Sequence, residues 1–316
     1  MKKTNLVVDL SNIVHAKHFT LLKKNKQQFN KDLLLFRTIQ SIAISAKKFK
    51  ADGILVACDS KNVWRYDIYP EYKGNRDDLR DPYYPQVKET MGTVKDFFNE
   101  YTGIPALSVE RAEADDIIAS VAQNSKHNVI IMSSDTDFVQ LLKNDNVTLY
   151  SPSQDIIRTS EDPDFDLFVK IIRGDKTDNI DSAFPRVRIK RLETAWKDKY
   201  EMINLMETTM KDRDDKRVKE LYKFNERLID LTRQPAYVKR DIENSINNLN
   251  INSYNSIGVM RFIGENNLKG VSKEFLMHKD VFNKHFILNE GDSINARSRN
   301  QRQKKTLLHS KTRRSQ

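Results

Sequence analysis

Short apolar runs alternate with longer stretches of helical period through the first half of this chain. Residues 5–9, 53–58, 105–109, 129–134 and 147–150 are apolar runs bounded by polar or turn residues, which predicts five β-strands. Leu34, Ile39, Ile42, Ala46 and Phe49 recur at helical spacing over 31–50, and Val87, Met91, Val94, Phe98 and Tyr101 do so over 86–102. Another helix starts at Glu113 and turns Ile117, Ile118 and Val121 to the core. Strands alternating with helices of this length predict an α/β fold: a parallel sheet flanked by helices, with right-handed crossovers. Beyond about residue 162 the strand pattern stops. Phe165, Phe168, Val169 and Ile172 mark one helix, and helical patterns follow at 186–198, 199–210, 214–233 and 237–248. No glycine occurs between Gly174 and Gly258, which agrees with a helical region.

The strands deliver acids. LVVD ends on Asp9, ILVACD on Asp59, and IIMSSDTD carries Asp135 and Asp137. AEADD places Glu113, Asp115 and Asp116 where a helix begins, and GDKTDNI adds Asp175 and Asp178. The carboxyl ends of parallel strands share one edge, and ligand sites form there. So many carboxylates on one edge repel each other unless cations neutralise them. An oxygen-only set without His or Cys suits two Mg²⁺ ions, with Mn²⁺ as a substitute, rather than zinc. Taken singly, Asp9, Asp135 or Asp175 reads as a helix N-cap or turn residue before it reads as catalytic. It is the repeated arrangement that points to a two-metal phosphodiester site. Metal binding lowers the pKa of water, so no histidine base is required. His15 and His18 fall in a polar segment after the first strand, His127 precedes a strand, and His278, His285 and His309 are far C-terminal.

Composition narrows the class. With 316 residues, 38% hydrophobic and 31% charged, the chain is polar yet long enough for a sizeable core. Its apolar stretches are too short to span a bilayer, and MKKTNLVVDL lacks the apolar length of a signal peptide. The one cysteine, Cys58, lies in an apolar strand, excludes an intramolecular disulfide and fits a reducing cytoplasm. A net charge of +10 suggests a polyanionic partner. Eight Lys and Arg fall in Arg297–Gln316 with no acid among them. The tail, 291–316, is expected to be disordered, and it serves either to attract phosphates, to dock a partner, or only as a solvated terminus.

The stretch between Asp59 and Val87 has no clean period. It interleaves Lys61, Arg65, Lys73, Arg76 and Arg80 with Trp64, Tyr66, Tyr69, Tyr72, Tyr83 and Tyr84. Guanidinium groups clamp phosphates and aromatic faces stack on unpaired bases. Arg65, Tyr72, Lys73 and Arg76 are therefore expected to meet nucleic acid, while Tyr69, Tyr83 and Tyr84 read as loop anchors.

In order along the chain, VVDLSN, CDSKNVWRYDIYPEYKGNRD, AEADDIIA, SSDTDFVQLL and GDKTDNI resemble the motifs of the 5′-nuclease (flap endonuclease) superfamily, nearest its phage ribonuclease H 5′→3′ exonuclease branch. The resemblance implies a PIN-like catalytic domain over 1–180 with an arch-type insert at 60–86, a helical DNA-binding region over 181–290, and the basic tail. It implies one cation site from Asp9, Asp59, Glu113, Asp115 and Asp135, and a second from Asp135, Asp137, Asp175 and Asp178, with Asp116 a further acid of the cluster. Lys73 and Arg76 would meet the scissile phosphate at the base of the arch. There is one departure from the family. Its glycine-rich helix-hairpin-helix turn is replaced here by DSAFPRVRIKRLE, without glycine. Arg186, Arg188, Lys190 and Arg191 either take over with side-chain phosphate contacts or form a solvated helix face. The implied protein is a cytoplasmic monomer that removes RNA primers and 5′ flaps during replication, acting on RNA–DNA hybrids and duplex DNA. A single-strand DNA-binding protein or sliding clamp is a candidate partner of the tail. Two rivals stand beside it: a PIN-like ribonuclease for single-stranded RNA, and a non-catalytic binder of branched nucleic acid.

Overall fold

A computed structural model describes residues 2–25, 27–75 and 81–287. Arg76, Arg80 and the basic tail lie outside the described residues. The sheet is built from β1 (Thr4–Asp9), β2 (Gly53–Cys58), β3 (Ala106–Ser108), β4 (Asn128–Met132), β5 (Val147–Ser151) and β6 (Ile156–Arg158). They lie in the order β3-β2-β1-β4-β5-β6. The first five are parallel, as the apolar pattern predicts. β6 is a short antiparallel addition at the edge. Nothing in the pattern announces it, because Ile156 and Ile157 are both exposed.

Alternation along the strands divides the interior in two. Leu6, Val8, Ile54, Val56, Ile130 and Met132 face one side, where they pack with α1 (Leu10–Lys24), α2 (Lys31–Lys48) and a later helix at Tyr84–Tyr101. Val7, Leu55, Val129 and Ile131 face the other, against the helix Ala114–Asn124. With α3 (Arg65–Ile68), a single turn in the insert, these two become α4 and α5. The α1 segment, polar by composition, is helical because Leu10, Ile13 and Val14 form a narrow buried stripe at i, i+3 and i+4. The buried His18 continues that stripe and bonds Asp81 at 2.8 Å.

Chain order 3-2-1-4-5 places the reversal of winding between β1 and β4, where the crevice outside the strand ends receives ligands. Asp9 closes β1 and caps α1, its Oδ1 accepting the Asn12 N–H at 3.1 Å. Asp135 follows β4 and caps the short 3₁₀ segment Thr136–Lys143.

Further along come α6 (Pro163–Arg173), α7 (Ile189–Lys197), α8 (Lys199–Glu207), α9 (Val218–Ile229), α10 (Ala236–Asn247) and α11 (Ser256–Glu265). α6 to α9 share a small core of Phe168, Ile172, Leu192, Ala195, Leu205 and Val218. A hairpin of two-residue strands, Thr209–Met210 and Lys216–Arg217, interrupts the helices. α10 turns Val238, Ile242 and Ile246 into the α5 side of the sheet. α11 returns to the opposite side, where Val259 and Phe262 meet Phe97 of α4 together with Phe275 and Phe282. The residues from 181 onward therefore fall into several packing neighbourhoods. No helix among the described residues is long and apolar enough to cross a membrane.

Candidate metal centre and nucleic-acid interface

The acids gather at the carboxyl edge of the sheet. An open cleft of about 410 Å³ is lined by Asp115, Asp135, Asp137, Lys170, Asp175 and Asp178. Asp9 lies beside it, its Oδ2 accepting the Ser133 hydroxyl at 2.8 Å. Burial, together with the charges of Asp59 and Asp135, pushes the Asp9 carboxyl up to about 7. Asp115 at the start of α5 is raised well above the usual range by burial and by Asp9, Asp135 and Glu113. Asp59 accepts the Ala114 N–H at 2.9 Å, which ties the end of β2 to the start of α5. Glu113 goes the other way. Burial works against its charge, but the Lys73 ammonium and the Arg65 guanidinium outweigh it and hold the carboxyl at about 2.

The second group of acids depends on a tight loop. Gly174 ends α6 at φ 69°, and a Cβ there would stand 2.4 Å from the Ile180 carbonyl oxygen. Only glycine fits. The Asp175 N–H donates to the Ile180 carbonyl at 2.9 Å and the Ile180 N–H returns the bond at 2.7 Å. This presents Asp175 and Asp178 to the cleft that Asp137 also lines. Lys170 of α6 bonds Asp137 and stands 3.1 Å from Asp175. The sequence reading missed Lys170. A lone lysine in the last turn of an amphipathic helix reads as solvated, and only its place before GDKTDNI hints otherwise.

Donor chemistry and charge fit divalent cations. Every ligand candidate is an oxygen donor, and burial together with neighbouring carboxylates raises Asp9 and Asp115, a penalty that a bound cation would offset. Among the described residues, no three carboxylates stand close enough together to hold one ion as they are. Lysines lie between them. Lys73 bonds Glu113 and stands 4.0 Å from Asp178, and Lys170 bridges Asp137 and Asp175.

Three expected site residues have other roles in this structure. Arg65 is 1% exposed and cannot reach a strand of nucleic acid from there. Its guanidinium donates to Glu113 at 2.6 Å, to both Asp116 oxygens at 3.0 Å, and to the Leu228 carbonyl at 3.0 Å. Asp116 is fully buried, and accepts in addition the Trp64 indole N–H at 2.9 Å and the Glu113 N–H at 3.0 Å. Its oxygens are committed to the protein, so it supports the acid cluster without facing the cleft. Tyr72 is 3% exposed, and its hydroxyl lies 3.1 Å from Glu113 and 3.0 Å from Asp178. It spaces the two acid groups and offers no face for stacking.

Arg186, Arg188, Lys190 and Arg191 are all exposed. Arg186 and Arg188 line an open groove of about 710 Å³ together with Asn75, Arg173, Lys176 and Arg213. Arg191 lies over the Phe184 ring at 4.8 Å. Arg186 occupies the left-handed region at φ 59°, a conformation glycine adopts freely and other residues reach at a cost of roughly 1–2 kcal/mol. The chain keeps a left-handed turn without glycine and surrounds it with cations.

A parallel sheet carrying two acid groups on its carboxyl edge, with lysines between them, has the makings of a nuclease centre. A family model described as the 5′-3′ exonuclease N-terminal resolvase-like domain matches residues 4–166, and the chain belongs to that family of nucleases. It is 29% identical over 202 residues to a 5′-3′ exonuclease of Buchnera aphidicola subsp. Schizaphis graminum, covering 60% of this chain and 68% of that one. It is 28% identical over 249 residues to ribonuclease H of Enterobacteria phage T4, covering 71% of this chain and 80% of the relative. Among solved structures, the phage T5 flap endonuclease in a pseudo-enzyme–product complex with DNA and metal ions superposes with a TM-score of 0.59 at 21% identity, over 88% of this chain and all of that one.

A pH dependence follows from the shifted carboxyls. Asp9 rises from 3.8 to about 7 in the fold, so its contribution to stability is fully present below about pH 4 and is lost as pH rises through about 7. Glu113, lowered from 4.5 to about 2, contributes above about pH 4.5 and loses that contribution only as pH falls toward 2. Between about pH 5.5 and 8, the melting temperature of chelator-treated protein is expected to fall through Asp9. Stabilisation by Mg²⁺ or Mn²⁺ is expected to grow over the same range, because proton and cation compete for one carboxylate. Thermal melts with and without the ion check this. An ion effect that does not change with pH would exclude Asp9 from a cation site.

Proposed function

We propose that this protein is a divalent-metal-dependent 5′→3′ nuclease that hydrolyses phosphodiesters of RNA–DNA hybrids, duplex DNA and 5′ flaps, and removes RNA primers during DNA replication in the cytoplasm. The observation that carries the reading is the meeting of Lys73 with both acid groups on one sheet edge of a 5′-3′ exonuclease-family fold. Asp9, Asp59, Glu113, Asp115 and Asp135 would hold one cation, and Asp135, Asp137, Asp175 and Asp178 the other. Mg²⁺ is the expected ion, with Mn²⁺ able to replace it. When bound, such ions supply an activated water and neutralise charge on the leaving 3′ oxygen. Lys73 adds fixed positive charge for the phosphate at the cleft, and Lys170 does the same from the α6 side. Arg76 shares the YKGNR motif, and its role rests on that resemblance. Buried Arg65 and Tyr72 keep Glu113 in place. Arg186, Arg188, Lys190 and Arg191 would grip backbone phosphates of the duplex, which would fix register without reading sequence.

We assign catalysis to residues 1–180, duplex binding to the helices after 181, and phosphate or partner contact to the tail. The T4 relative's name, ribonuclease H, supports the hybrid substrate, and the T5 complex supports DNA and metal binding. The test is incubation with a 5′-labelled RNA–DNA hybrid and a 5′-flap duplex, in Mg²⁺ or in EDTA. Short 5′-derived products that appear only with Mg²⁺ are expected. Binding without cleavage would leave a silent binder of branched nucleic acid, and cleavage of single-stranded RNA alone would leave a PIN-like ribonuclease.

A further inference from the structure

The stem of the insert is stitched to the loop that carries the second acid group. The Lys73 N–H donates to the Asp178 carbonyl at 2.9 Å. The Asn75 side-chain amide donates to the Lys176 carbonyl at 3.0 Å, and the Asn179 amide donates to the Glu71 carbonyl at 2.9 Å. The Tyr69 hydroxyl closes the set by donating to the Asn179 carbonyl at 3.0 Å. These bonds run in both directions between residues 69–75 and 176–179, so neither segment can slide without breaking several. Two residues at the junction are left-handed, Lys73 at φ 57° and Asn179 at φ 61°. Asparagine is among the few side-chain-bearing residues that visit this region routinely, and here the conformation turns its amide back onto Glu71.

We infer that Asn179 is a positioning residue of the nuclease site: it fastens the Lys73 segment to the Asp175–Asp178 loop and so fixes the spacing between the lysine and the second acid group. The inference rests on the nuclease reading above. A lysine ammonium rides on a flexible stem, and its reach is set by where its main chain is anchored. Misplacing a reacting group by about 1 Å costs on the order of 10²-fold in rate. The stitching also means that any shift of the insert on meeting substrate reaches Asp175 and Asp178 along with Lys73.

Asn179→Gly tests this cleanly, because glycine keeps the left-handed backbone and removes only the side-chain amide. At saturating RNA–DNA hybrid with Mg²⁺, its single-turnover rate is expected to fall about 10- to 100-fold. Substrate Kd and melting temperature are expected to stay near wild type, and hydrogen exchange of the 70–75 segment is expected to speed up. Asn179→Ala should add a loss of melting temperature from backbone strain. A wild-type rate in Asn179→Gly, or unchanged exchange in 70–75, overturns the inference. So does a rate loss that merely follows a fall in melting temperature. Wild-type protein that cleaves nothing overturns the nuclease reading itself. The rate outcomes require an active wild type, and the exchange outcome is read without substrate, so the two failures are told apart.

Discussion

Asp135→Asn is expected to reduce turnover by about 10²–10³-fold or more while leaving nucleic-acid binding close to wild type. Asp135 is the one acid assigned to both cation groups, and its charge raises the carboxyls of both Asp9 and Asp115. Its Oδ1 also accepts the Asp137 N–H at 2.9 Å as the cap of the 3₁₀ segment. Asparagine caps as well as aspartate, so the local fold is kept and only the charge is withdrawn. The exposed cations of the 186–191 segment are untouched. Single-turnover cleavage in Mg²⁺, set beside binding measured in EDTA, separates the two effects. Wild-type cleavage by this variant would sink the two-cation assignment.

Arg65→Leu is expected to cost about 3–5 kcal/mol of folding stability, the scale for removing one partner of a buried ion pair. The guanidinium is the shared partner of Glu113 and Asp116, and it also stacks over the Trp64 ring at 4.4 Å. Without it, two carboxylates stay buried with too little positive charge. Arg65→Lys is no rescue, because an ammonium cannot span Glu113, both Asp116 oxygens and the Leu228 carbonyl at once. Urea unfolding measures the loss. Adding Asp116→Asn to Arg65→Leu should restore part of it, and a single variant as stable as wild type would mean the network contributes nothing net.

Arg65 also shows where sequence reasoning reaches its limit. The sheet is legible because β1, β2 and β4 are apolar on nearly every position, and Asp9, Asp59 and Asp135 because they stop or follow those strands. Neighbouring Asp115 and Asp116 look alike in sequence, yet successive helical residues point about 100° apart. One therefore meets the cleft and the other the core. Arg65 and Tyr72 read as substrate contacts because a basic-aromatic insert usually faces solvent, and only tertiary packing reveals that Glu113 claims both. The helix α1 was hidden by its few buried positions. The return of α11 to the α2 and α4 side depends on long-range packing that local period does not encode. Lys170 is hard to find for the opposite reason: apart from its place before GDKTDNI, nothing local distinguishes it from a surface lysine.

The ammonium groups of Lys73 and Lys170 have a consequence beyond the catalytic role proposed for them. Both are tethered to the fold and lie against the carboxylates that a divalent ion would engage. They form a resident counter-atmosphere, which relieves part of the mutual repulsion at all times and competes for the same oxygens. Under the two-cation reading proposed above, the scaffold is therefore expected to stay folded in EDTA while activity is lost.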